Sequence, residues 1–272
     1  MHKKTHAVAV NCKCIKRLDW RTESRAEARE AKMPQKIFIE NVDGENLTLD
    51  EEQSRHIAKS LRMRAGDMIV VCDGKGVDYG CMIESVGNPV TLKVCYRQAS
   101  GSEPSVRVHI YQGVPKGDKM ESIIQKCTEL GVAEITPVLT KRSVSRPDEA
   151  RAKKKNARYQ KIAHEAAEQS GRGTVPKINE MASFEKALSS CTAPLKILFY
   201  EGGGDSLKTI LKNGEKEIAV FIGPEGGFEK EEATAVLNAG GVLATLGPRI
   251  LRTETAPVAA LSAIMLLTGN LE

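Results

Sequence analysis

The chain has no Cys-x-x-Cys pair. Its seven cysteines, at positions 12, 14, 72, 81, 95, 127 and 191, are odd in number and scattered. That spacing argues against a zinc site and against a disulfide framework, and it favours a reducing, cytoplasmic setting. No apolar run approaches the ~18 residues that a membrane span needs. The N-terminal segment has no apolar h-region, which excludes a secretory signal, and its Arg residues are mixed with acids, which makes a poor transit peptide. There is no G-x-x-x-x-G-K-[ST] stretch, so a Walker-type phosphate cradle is missing. Internal repeats and low-complexity tracts are absent as well.

What is present is an ordinary globular composition, 41% hydrophobic and 28% charged, over 272 residues. That length suits one or two domains. The net charge of +5 resides in residues 1–32, which hold nine Lys/Arg against four Asp/Glu and leave 31 of each sign elsewhere. Basicity in the body is therefore a matter of clustering. Residues 141–172 carry ten Lys/Arg and four Asp/Glu, and a smaller cluster comprises Arg55, His56, Lys59, Arg62 and Arg64. Such patches suit a polyanion, although most charge runs are merely solvated helix faces.

Residues 1–32 read as a disordered or non-native extension, with protein-like sequence from Met33. Between 33 and 100 short strand signals recur: "KIFIE", "DMIVVCDG", "VDYGCMIESV" and "VTLKVCYR", with one short helix near 50–61. Asp73-Gly74-Lys75-Gly76 is a hairpin signal. These features predict a small β-barrel, and "ASGSEPS" reads as a linker. From 106 to 272 strands alternate with helices, which predicts an α/β domain on a mainly parallel sheet. Its helices are expected at 117–130, at about 147–170, near 206–212 and 229–239, and at the C-terminal end. His109 and His164 fall in segments that read as structural.

Three consecutive strand-to-helix loops are rich in glycine: 199–206 "FYEGGGDS", 222–232 "IGPEGGFEKEE" and 246–255 "LGPRILRTET". In open α/β sheets ligands gather beyond the carboxyl ends of the strands, so the loops predict a nucleotide-like ligand; the alternative is three tight turns. Glu229, Glu231 and Glu232 stand in a helix's first turn, where they complement the dipole and repel phosphate. A neutral or cationic adenosine derivative such as S-adenosylmethionine fits better than a diphosphate. A Rossmann-type methyltransferase does not fit, because "EGGGD" leaves only about 70 residues after it.

The pieces "HIAKSLRMRAGD", "QKCTELGVAEITPVLTKRS", "EAAEQSGR", "IGPEGGF" and "LGPRILRTETA" occur in one order across about 33–272. In them the chain resembles the SPOUT-class RNA methyltransferases and, within that class, the uridine-N3 enzymes of the ribosomal RNA small subunit methyltransferase E family. The resemblance implies a PUA-like β-barrel at 33–100 for RNA binding and a SPOUT methyltransferase domain at 106–272 with a C-terminal trefoil knot, a rarity among folds. It further implies S-adenosylmethionine as cofactor, small-subunit (16S) ribosomal RNA within the ribosomal particle as partner, and a homodimer without metal or membrane. The terminal helix, apolar nearly all round, must be covered by knot packing or by a second subunit.

By the same resemblance the cofactor contacts Leu198, Phe199, Glu201, Gly223, Glu225, Gly226, Leu246, Gly247, Ile250 and Leu251, with Thr253 and Thr255 as hydrogen-bond partners. Arg252 is the candidate for holding the uracil, since a guanidinium stabilises charge growing on its carbonyl oxygens. Glu254 is the candidate base. Arg252 with Glu254 also reads as a structural pair, and Thr255 followed by Pro257 as a helix start. Lys126, Glu129, Gln169, Ser170 and Arg172 match the family's motifs on the RNA side, and Arg55, His56, Arg62 and Arg64 are candidate RNA contacts of the barrel. The leading expectation is methylation of N3 of a uridine. Its alternatives are a SPOUT enzyme acting on another RNA or base atom, and a non-catalytic RNA-binding protein.

Overall fold

The computed structural model describes residues 36–39, 42, 44–212 and 214–271. The expected extension 1–32 lies outside the described residues, as do 33–35 at the start of the expected barrel. The chain divides into two compact units, one ending at Gly101 and the other starting at Ser102.

The first unit is built from β1 (Lys36–Phe38), β2 (Asn46–Thr48), α1 (Glu51–Arg55), β3 (Met68–Cys72), β4 (Val77–Ser85) and β5 (Thr91–Ala99). Asp50 starts α1 with a capping box: its side chain accepts from the Gln53 amide while the Gln53 side chain accepts from the Asp50 amide. A π-helical turn, His56–Leu61, continues the helix. The hairpin expected at Asp73 joins β3 to β4, and Asp73 Oδ1 accepts from the amides of Lys75 at 2.8 Å and Val77 at 3.0 Å. That side chain mimics a backbone turn. The hydrogen-bonded order is β1-β3-β4-β5-β2. Among the described residues no β1–β2 pair closes it, so the array is a five-stranded sheet around a core rather than a barrel sealed by hydrogen bonds. Ile37, Leu47, Ile69, Val71, Ile83 and Leu92, drawn from all five strands, share that core with Ile57.

The second unit alternates strands and helices. It opens with β6 (Arg107–Gly113), α2 (Lys119–Glu129), β7 (Glu134–Leu139), α3 (Glu149–Gln169), β8 (Lys177–Ile178), β9 (Ala182–Ser183) and α4 (Phe184–Ser189). There follow β10 (Leu195–Phe199), β11 (Asp205–Ser206), α5 (Leu207–Ile210), β12 (Glu217–Ile222), α6 (Lys230–Asn238), β13 (Val242–Thr245) and α7 (Ala256–Leu267). The eight strands pair in parallel throughout, in the order β11-β13-β10-β12-β6-β7-β8, with β9 on β7. All of Ile218–Ile222 is buried, as expected for a strand covered on both faces. On α2 the buried residues Met120, Ile123, Ile124, Cys127 and Thr128 recur at helical spacing and form one apolar stripe. Each buried Ile contributes roughly 1.5–3 kcal/mol. The facing stripe of α3 is Tyr159, Ala163, Ala166 and Ala167, whose three alanines are small enough for close approach.

No element was expected between 171 and 194, yet β8, β9 and α4 lie there. Helix α4 buries only Phe184 and Ala187, too few positions to establish a period. Helix α7 begins with Pro257 in its first turn, but Thr255 makes no side-chain capping bond. Ala260, Leu261, Ile264 and Met265 are buried within the chain, against α2, α5 and β6, whereas Leu266 and Leu267 stay exposed. None of the described helices is long and apolar enough to cross a membrane.

Candidate active site

Strands β13, β10 and β12 are neighbours in the sheet, so the three glycine-rich loops emerge side by side at their carboxyl ends. Together they enclose a cleft of about 400 Å³. One wall is apolar, formed by Phe199, Leu246, Ile250 and Leu251; Glu201, Glu225, Lys119, Arg249 and Arg252 bring charge to it. Ile250 is 79% exposed, an apolar side chain held in the open at the rim.

The loops are tied together by residues outside them. Arg142, just beyond β7, donates to both carboxylate oxygens of Glu229, to the Gly226 carbonyl at 2.7 Å and to Glu201 at 3.3 Å. One guanidinium thus spans the first and second loops, a use of its fork that an ammonium cannot copy. Gly227 completes this clamp: its φ is +68°, and a Cβ there would stand 2.8 Å from Glu201 Oε2. Lys119, at the start of α2, lies 2.8 Å from Glu225 and 3.5 Å from Glu254, linking the second and third loops. Thr253 is buried, and its hydroxyl donates to the Gly223 carbonyl at 2.9 Å.

Charge follows the same connections. Partial burial pushes the Glu225 carboxyl upward, but hydrogen bonds from Lys119 and from backbone amides outweigh it and hold it below the usual carboxylate range. The hydrogen bond to Glu225 raises Lys119 in turn. At the start of α6, Glu232 is buried and accepts from the amides of Glu229 at 2.8 Å and Lys141 at 3.0 Å. Carboxylates therefore already occupy the positive end of this helix, which makes it a poor phosphate site. Apolar walls, main-chain groups and carboxylates suit a neutral or cationic adenosine derivative.

Two family models match: an RNA methyltransferase domain over residues 102–265 and an RNA methyltransferase PUA domain over 49–95. The chain is 37% identical to ribosomal RNA small subunit methyltransferase E of Bacillus subtilis, a match covering 85% of this chain and 95% of that protein. The chain belongs to the ribosomal RNA small subunit methyltransferase E family. The Mycobacterium tuberculosis member is 30% identical, over 82% of this chain and 87% of its own length. A crystal structure of the Neisseria gonorrhoeae member bound to S-adenosyl methionine superposes with a TM-score of 0.78 at 30% identity, covering 86% of this chain and 98% of that one. A Legionella pneumophila methyltransferase solved with the same cofactor gives 0.76 at 30% identity, covering 86% and 97%.

Of the cofactor residues expected from the sequence of this methyltransferase, Phe199, Glu201, Gly223, Glu225, Leu246, Gly247, Ile250, Leu251 and Thr253 line the cleft, and Arg252 stands beside them. Leu198 is fully buried beneath it in the core. Gly226 touches Arg142 rather than the cleft. Thr255 is exposed and donates its amide to the Arg252 carbonyl. Glu254 turns to Lys119, not to Arg252, so the Arg252–Glu254 pair is replaced by a different one.

On the expected RNA side, Arg55, His56, Arg62 and Arg64 are all exposed on α1, the π-helical turn and the residues after it. Arg55 pairs with Glu51 at 2.8 Å. Lys126 and Gln169 are exposed on their helices, outside the cleft lining. Arg172 corrects the expectation: it is 4% exposed, binds Glu103 at 2.6 Å and donates to the carbonyls of Thr128 and Val132. The cause is local. Gly171, at φ +69°, ends α3 with the Arg172 amide bonded back to Ala167, which turns the arginine into the core. Lys119, Arg142 and Gln112 were not singled out from sequence. Arg142 lies inside the quoted "TKRS", and Gln112 is one of two polar side chains, with His109, that interrupt the apolar stretch "VHIYQGV".

Proposed function

We propose that this methyltransferase transfers a methyl group from S-adenosylmethionine to N3 of a uridine in small-subunit (16S) ribosomal RNA. One observation carries the reading: three adjacent loops form one cleft with an apolar wall, carboxylates beside it and Arg252 at its edge. When bound there, S-adenosylmethionine supplies an electrophilic methyl group on a sulfonium. Phe199, Leu246, Ile250 and Leu251 form the apolar wall for its adenosine, Gly223 and Gly247 present backbone, and Glu201 and Glu225 complement its positive charge. Leu198, Gly226, Thr253 and Thr255 act one step back, by shaping the loops.

N3 lies on the Watson–Crick edge of uracil, so the base must be unpaired or flipped before it can react. Its N3 proton passes to solvent water at the open cleft, and the charge left on the ring spreads to the two carbonyl oxygens. Arg252 binds those oxygens and lowers the cost of the anion. Lys119 adds a second cation to the cleft. Glu254 faces Lys119 at 3.5 Å, and its first task is to hold that lysine against the third loop. Arg55, His56, Arg62 and Arg64 in the 33–100 domain contact RNA phosphates, joined by Lys126 and Gln169 from the 106–272 domain. Arg172 is left out because it is buried.

The same reading includes a trefoil knot, a homodimer and a cytoplasmic enzyme acting on ribosomal particles. The run from β13, beyond β10, returns across the sheet to Gly223 after β12, and α7 then packs on β6 and α2. That crossing supports the knot. Leu266, Leu267 and Leu271 remain exposed near the C-terminal end and suit a second copy of the chain. The test is methylation of small-subunit RNA and particles from cells lacking the enzyme, followed by mass-spectrometric mapping. A methyl group on uracil N3 is expected; a methyl group on any other atom, or none, overturns the proposal.

A further inference from the structure

Gln112 ends the apolar run of β6 and is 0% exposed. Its side-chain Nε2 donates to the Gly113 carbonyl at 3.0 Å and to the Thr253 hydroxyl at 3.2 Å, and reaches the Gly223 carbonyl at 3.5 Å. Thr253 passes the connection on, since its own hydroxyl donates to the same Gly223 carbonyl at 2.9 Å. A strand residue thus bolts the second loop to the third from beneath the cleft. Its other polar atom, Oε1, is buried and has no hydrogen-bond partner among the described residues. A buried acceptor without a donor is destabilising, and an apolar side chain of similar volume would avoid that cost. For packing alone, methionine would serve better than glutamine here.

Thr253 is the residue between Arg252 and Glu254. The Arg252 carbonyl is itself fixed, accepting from the amides of Thr255 at 2.8 Å and Ala256 at 2.9 Å, where α7 begins. Clamping the Thr253 side chain on one side and the α7 start on the other leaves Arg252 little freedom relative to the second loop. We infer that Gln112 is a positioning residue for methyl transfer, setting the third loop through Thr253 so that Arg252 meets the uracil. This rests on the function proposed above. It deepens that reading by adding a residue that touches neither cofactor nor RNA, and the energetic logic is pre-organisation: displacing a reacting group by about 1 Å can cost on the order of 100-fold in rate.

The experiment is a double-mutant cycle in kcat at saturating S-adenosylmethionine and RNA, using Gln112→Met and Thr253→Val in the full chain. Each single variant should lose about tenfold to 100-fold in kcat, with the RNA KM changed less, and the double variant should be no slower than the worse single one. Losses that multiply, or a Gln112→Met enzyme at the wild-type kcat, overturn the inference. Should Gln112→Met not fold, Thr253→Ser, which keeps the hydroxyl, is compared with Thr253→Val. The serine enzyme should be the faster by several-fold, and equal rates overturn the inference. A wild-type chain that methylates no RNA would instead overturn the underlying function.

Discussion

Arg142, beyond the end of β7, reaches Glu201, in the loop after β10, at 3.3 Å. The sheet order places β7 three strands from β10, with β6 and β12 between them. The guanidinium therefore crosses the carboxyl edge of the sheet, and on its way it holds Gly226 and Glu229 of the loop after β12. Two loops of the cleft derive their mutual position from a residue that belongs to neither.

Replacing Arg142 by Ala should weaken S-adenosylmethionine binding by roughly tenfold, because two loops lose their common partner. Arg142→Lys should recover only part of that, since an ammonium cannot satisfy Glu201, Gly226 and Glu229 in one geometry. Calorimetric titration measures both; a lysine variant equal to wild type would contradict the clamp.

Arg252→Ala should lower methyl incorporation about 100-fold while changing cofactor affinity less than about threefold, the pattern of a group that acts on developing charge. Radiolabel transfer to RNA, set beside the titration, separates the two effects. Equal losses in both would move Arg252 to the cofactor.

Arg172→Ala should destabilise the fold by about 3–5 kcal/mol, because Glu103 would keep a partly buried charge without its partner. Denaturant melts report the loss directly. If stability stays near wild type while RNA affinity falls, Arg172 is an RNA contact after all.

His109 gives a pH signature. Burial pushes its imidazole down from the usual 6.5 to about 4, so the folded state keeps it neutral where the unfolded chain binds a proton. Its contribution is complete above pH 6.5 and is lost as pH falls from 6.5 toward 4, by about 3 kcal/mol in all. Urea melts across that range should show the decline, and His109→Gln, which retains a group for Thr136 (now 2.8 Å from Nε2), should flatten it.

Much of the α/β unit was legible in the sequence, because its elements announce themselves by period. β12 is a run of buried apolar residues, α2 repeats at three and four, and Gly131 and Gly171 mark helix ends. The segment with β8, β9 and α4 was not legible, since two- and six-residue elements carry no period of their own. The three loops were legible from their glycines, and the structure brings them together around one cleft. Their clamps were not: Gln112, Lys119 and Arg142 are 59 to 141 positions away from Glu201, Glu225, Glu254 and Thr253, their loop partners.

By itself the sequence determined the types of the longer elements, the alternation of strand and helix, the acidic start of α6 and the three loops, since each depends on residues close together along the chain. The family motifs carried the rest of the functional expectation. Tertiary structure alone decided the fate of individual charges. Arg172 and Arg252 both stand in short motifs of the family resemblance, "EAAEQSGR" and "LGPRILRTETA". A glycine turn sends Arg172 into the core to meet Glu103, 69 positions earlier; a clamped loop leaves Arg252 at the cleft. An arginine's role depends on which carboxylates and carbonyls reach it, and that is settled by long-range packing rather than by neighbours in the chain.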